Sequence, residues 1–134
     1  MKIDHIGIAV TNIEHAAALY TAGLGLETGK TETVSSQGVR VMSIPLGESE
    51  IELLEPLTTD SPVGRFLEKR GEGIHHLCIE VEDIVAALAQ LKAQGVRLIN
   101  EEPAQGAGGA LVAFIHPKSA NGVLLELSQK PKLG

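Results

Sequence analysis

His5 and His76 occupy matching places in two copies of one pattern, and so do Glu52 and Glu126. The first copy, residues 4–20, reads DHIGIAVTNIEHAAALY, and the second, residues 75–91, reads HHLCIEVEDIVAALAQL. Moving the first along by 71 residues sets His5 on His76, Ile8 on Ile79, Val10 on Val81, Asn12 on Asp83 and Ile13 on Ile84. Further on, EIELLE at 50–55 matches LLELSQ at 124–129, which sets Glu52 on Glu126 at a displacement of 74. One imidazole and one carboxylate from each half make a candidate site for a divalent cation. Two imidazoles with two carboxylates suit Zn, Co, Mn, Ni or Fe, and leave two coordination positions for substrate or water. The competing reading is of ordinary strand histidines and solvated glutamates; matched pairs in a duplicated chain favour the metal site.

Strands must hold these side chains. Residues 2–10 alternate and are rich in Ile, which predicts a strand. Side chains alternate across a strand, so His5, Gly7 and Ala9 share one face, and Ile6, Ile8 and Val10 the other. The apolar face packs on helices, which leaves His5 on the opposite, cleft-lining face. By the same rule His76, Cys78 and Glu80 oppose Leu77, Ile79 and Val81. Asn12 and Asp83 are placed to cap helices. Behind them Ile13, Ala16, Ala17 and Tyr20, and then Ile84, Ala87, Leu88 and Leu91, keep helical spacing, with Gly23, Gly25 and Gly95 as stops. Further strands are predicted over 27–35, 39–45 and 50–55, with turns at 36–38 and 47–49, and over 74–81, near Val96, and over 111–116 and 123–128. A short helix is expected over 62–70, a flexible loop over 103–109 (PAQGAGG), and a frayed tail over 130–134.

The fold class that follows is α+β. Two tandem βαβββ modules, residues 1–57 and 74–134, flank a linker over 58–73 that carries the short helix. Together they are expected to form a curved, eight-stranded mixed sheet, with mainly antiparallel neighbours, around a metal-containing cleft.

Bulk properties narrow the function. With 134 residues and 43% hydrophobic composition the chain can bury a core without staples. A net charge of −6 argues against a nucleic-acid partner. One cysteine, Cys78, excludes an internal disulfide and reads as an inert core thiol in a reducing compartment. No apolar run is long enough to span a bilayer, and no basic-plus-apolar segment opens the chain, so no membrane partner and a cytoplasmic location are expected.

The sequence resembles the vicinal oxygen chelate superfamily, which includes glyoxalase I, extradiol dioxygenases and antibiotic-resistance proteins. Within it the resemblance is to the methylmalonyl-CoA epimerases, from Ile3 to about Lys130. It is carried by DHIGIAV at 4–10, IELLEPL at 51–57, SPVGRFLEKRGEGIHHLCIEVEDI at 61–84, EEPAQGAGG at 101–109 and FIHPKSANGVLLEL at 114–127. The resemblance implies the same four ligands, His5, Glu52, His76 and Glu126, around one divalent ion, Co2+ ahead of Zn2+, Mn2+ or Ni2+. It implies an acyl-CoA substrate, epimerisation at its 2-carbon, and a homodimer. Glyoxalase I, an extradiol dioxygenase and a metal-free small-molecule-binding protein are the alternatives; the last has no need of four ligand-type residues.

Epimerisation wants a base on each face of the reacting carbon. Some family members place a glutamate in the third strand, where this chain has Val41 after Arg40. Glu126 is therefore expected to act as base as well as ligand. Glu50, two residues before Glu52 and on its face, is a second candidate, set against the reading of a solvated turn residue. Gln37 and Lys118 are candidate substrate contacts, Lys118 as a compact positive charge for a carboxylate or phosphate. His75, pointing away from His76, His116 at a strand end and His15 on an exposed helix face are assigned no chemistry.

Overall fold

Alternation makes Lys2–Ala9 a strand (β1), and the Asn12 side chain ends the extended run. Asn12 Oδ1 accepts from the His15 backbone N–H at 2.8 Å, satisfying an orphan donor of helix α1, Ile13–Ala18. The helix continues as a π-helical turn, Leu19–Gly23, and Gly25 at φ 72° turns the chain out. Then come β2 (Thr31–Val34), β3 (Val39–Leu46) and β4 (Ser49–Pro56). Helix α2, Pro62–Arg70, has Pro62 in its first turn and Ser61 as cap, with Oγ accepting from the Gly64 N–H. The second set repeats the order: β5 (Gly73–Glu80), α3 (Ile84–Ala93, capped by Asp83), β6 (Ala104–Gln105), β7 (Leu111–Ile115) and β8 (Leu125–Gln129). The strand–helix–strand–strand–strand order occurs twice, as expected.

The computed structural model describes residues 1–132. It contains two compact units: His5–His75, and Met1–Asp4 with the chain from His76 onward. The first set of strands runs in the order β2-β3-β4-β1, the second β5-β8-β7-β6. β1 lies parallel to β4, and β5 parallel to β8; the hairpin neighbours are antiparallel. The mixed sheet is thus confirmed, with the parallel contacts at the strands that carry the His and Glu pairs.

In the first unit Val10, Ile13, Ala17, Ile44 and Leu53 form the core, with Ile8, Met42 and Ile51 packed against it. In the second, Val81, Ile84, Leu88, Ala113, Ile115 and Leu127 do the same. The helices therefore cover the apolar faces predicted by alternation. Leu53→Ala is expected to destabilise the protein by about 2–5 kcal/mol, read as a lower denaturant midpoint.

Four expectations on boundaries and elements need correction. The strand expected near Val96 is only an isolated bridge, Leu98 to Ile115. The short partner of β7 lies instead in the loop expected to be flexible, where Ala104 pairs with Val112 and Gly106 N–H donates to Ala110 O. Gly106 permits this, because a Cβ there would meet Val112 Cγ1 at 2.6 Å. β2 is shorter than the predicted 27–35, and the turn at 47–49 is a two-residue hairpin loop, Leu46 pairing with Ser49 and Gly47 at φ 65°. In the expected frayed tail, residues 130–132 carry no regular structure; residues 133 and 134 lie outside the described residues. Among the described residues no helix is long and apolar enough to cross a membrane.

Candidate functional site

The register of β1 and β4 pairs Gly7 with Glu52, two residues after His5. Side by side on one face, His5 Nε2 and Glu52 Oε1 lie 3.3 Å apart. The register of β5 and β8 pairs Cys78 with Glu126, again two residues after the histidine. There His76 Nε2 and Glu126 Oε1 are 2.9 Å apart. The sequence repeat is thus a repeat of geometry within each unit. All four side chains are buried, His5 and His76 at 5% exposure, Glu52 at 9% and Glu126 at 7%. Buried carboxylates and imidazoles require partners, and each pair provides one. The donor set fits a divalent metal, with hard carboxylate oxygens beside imidazole nitrogens.

Strand alternation decides what else shares these faces. In the first unit the face holds His5, Gly7 and Ala9 from β1, Glu50, Glu52 and Leu54 from β4, and Val41, Ser43 and Pro45 from β3. Val41 is buried opposite Leu54, so this position on the face is apolar. Glu50 pairs with His5 across β1 and β4 and is half-buried. It is a strand residue on the His5 face, so the solvated-turn reading is corrected. In the second unit the face holds His76, Cys78 and Glu80, Glu126 and Ser128, and Val112 and Phe114. The Phe114 ring meets the His76 imidazole edge-on at 5.7 Å, which restricts its rotation.

The opposite faces hold the helices in place by a device repeated in both units. Glu55, three residues after Glu52, accepts the Ile13 N–H at 3.0 Å; Gln129, three after Glu126, accepts the Ile84 N–H at 2.9 Å. The strands of Glu52 and Glu126, β4 and β8, are thereby each tied to the N-terminus of a helix. Arg40 braces Glu55 at 2.8 Å and reaches Glu14 at 3.0 Å; its hydrogen bond holds Glu14 below the usual carboxylate range. Sequence reasoning missed Glu55 and Gln129, although their matched places in the repeat were a readable signal.

The other candidates are placed as follows. Gln37 is half-buried in a 3-10 turn, Ser35–Gln37. Lys118 is exposed in the turn Pro117–Ser119, its backbone N–H donating to His116 Nδ1. Desolvation, then Arg97 and Lys118, lower the His116 pKa, which keeps Nδ1 available as an acceptor. His75 packs edge-on against Phe66 at 5.1 Å, and His15 is exposed on its helix. Cys78 is fully buried.

Comparison with known proteins places these features in context. Residues 4–114 match the family model described as the Glyoxalase/Bleomycin resistance protein/Dioxygenase superfamily. An ethylmalonyl-CoA/methylmalonyl-CoA epimerase of Cereibacter sphaeroides is 48% identical over 96% of this chain and 97% of its own. The human mitochondrial methylmalonyl-CoA epimerase is 43% identical over 96% of this chain and 73% of its own. A Streptomyces coelicolor methylmalonyl-CoA epimerase variant, solved in complex with 2-nitronate-propionyl-CoA, superposes with a TM-score of 0.94 at 39% identity, covering 97% of this chain and 94% of that one.

Proposed function

The chain belongs to the Glyoxalase/Bleomycin resistance protein/Dioxygenase superfamily, and on that premise we propose that it interconverts the 2R and 2S epimers of methylmalonyl-CoA. The observation that carries this reading is the near full-length likeness to proteins named as epimerases of this acyl-CoA. The residues needed for the chemistry support it.

We propose that His5, Glu52, His76 and Glu126 together hold one divalent ion, Co2+ ahead of Zn2+, Mn2+ or Ni2+. When bound, the ion supplies positive charge that stabilises the negative charge developing on the thioester oxygen. The chain's own groups move the proton. One carboxylate takes the proton from the 2-carbon, and the C–H electron pair passes into an enolate. A second carboxylate delivers a proton to the opposite face. Glu126 and Glu50 are the two carboxylates we assign, because Val41 removes the alternative and Glu50 flanks His5. Lys118 is assigned to a substrate carboxylate or CoA phosphate, and Gln37 to a polar contact with substrate. A homodimer is proposed on the same likeness. The lone buried cysteine supports a reducing, cytoplasmic setting.

The discriminating test offers the metal-loaded protein two substrates. It is expected to turn over methylmalonyl-CoA and to leave the methylglyoxal–glutathione adduct untouched. The reverse pattern makes it a glyoxalase.

A further inference from the structure

Ser128 lies two residues beyond Glu126 on β8, so the two side chains leave the same face, separated by roughly 7 Å of extended strand. The residue is 4% exposed, and its Oγ has no hydrogen-bond partner among the described residues. Its neighbours do not explain it. On β7 its register partner is Val112, which is apolar. On β5 it is Glu80, whose Oε1 is ion-paired with Lys130 Nζ at 3.1 Å but, like Ser128 Oγ, has no hydrogen-bond partner among the described residues. A hydroxyl withdrawn from solvent and left unmatched is costly, and such groups mark places where a ligand completes the bonding.

Resting on the epimerase reading above, we propose that Ser128 is a substrate-positioning residue whose hydroxyl donates a hydrogen bond to the free carboxylate of the methylmalonyl group. Ser128 Oγ and Glu80 Oε1 make no hydrogen bond to one another, which leaves the hydroxyl able to donate to an acceptor from outside. The substrate offers a thioester carbonyl and a carboxylate, and the charged acceptor makes the stronger bond. Lys130 offsets the charge of Glu80, so a second carboxylate is not repelled from this end of the face. Ser128 then separates acyl-CoAs that carry a 2-carboxylate from those that do not.

The test compares methylmalonyl-CoA with propionyl-CoA, which lacks the carboxylate. Ser128→Ala is expected to raise KM for methylmalonyl-CoA roughly ten- to hundredfold, with a smaller change in kcat, the scale of a hydrogen bond to a charged group. Inhibition by propionyl-CoA is expected to stay within about twofold of wild type, and Tm is expected not to fall, because the variant removes an unmatched buried hydroxyl. Equal weakening toward both acyl-CoAs, or an unchanged KM, overturns the assignment while the epimerase reading stands. Wild-type protein that fails to bind methylmalonyl-CoA overturns that reading, and the role of Ser128 with it.

Discussion

His76→Ala is expected to lower the affinity for the divalent ion by at least about tenfold, while His75→Ala leaves metal content near that of wild type. The adjacent histidines separate the two roles. The His76 Nε2 faces Glu126 at 2.9 Å in a buried setting. His75, on the other side of the strand, packs against Phe66. Removing the first takes away a proposed ligand and the Glu126 carboxylate's contact with His76 Nε2. Removing the second takes away the ring contact with Phe66 and no proposed ligand. Metal analysis after dialysis, with a competing chelator to set the affinity scale, reads the difference. Equal loss in both variants, or loss in neither, contradicts the ligand assignment.

Glu126→Gln is expected to keep appreciable metal and to lose a factor of roughly 100 or more in epimerisation, the scale typical of general acid–base catalysis. Glutamine retains an oxygen ligand but accepts no proton at neutral pH. Glu50→Gln is expected to block interconversion as well. In each variant the surviving carboxylate should still exchange the 2-proton of one epimer with solvent, because each base serves one face. Normal turnover by Glu126→Gln at full metal occupancy removes the ligand carboxylate from the proton-transfer step.

Much of this was legible in the sequence, because the chain is written twice. Alternation put Ile8 and Val10 against helix α1 and His5 on the opposite face, and the structure agrees. Asn12 and Asp83 cap their helices because a side-chain oxygen can reach the third N–H. The failures have physical causes. β6 spans two residues in a Gly- and Ala-rich stretch, too short for any period; its pairing with β7 defines it. The π-helical turn after α1 leaves no mark in apolar spacing. Glu50 sits where Gly47 and Ser49 suggest a turn, yet a two-residue loop lets β4 begin one residue before it. The repeat matches Glu55 with Gln129, but the helix N–H that each accepts is a tertiary contact, defined only once strand and helix are packed.

The most direct test of the central claim is proton NMR of 2R-methylmalonyl-CoA in heavy water with the metal-loaded protein. The account predicts loss of the 2-proton signal and collapse of the methyl doublet, at a rate matched by the appearance of the 2S epimer. A 2-proton signal that decays no faster than in a protein-free control contradicts it.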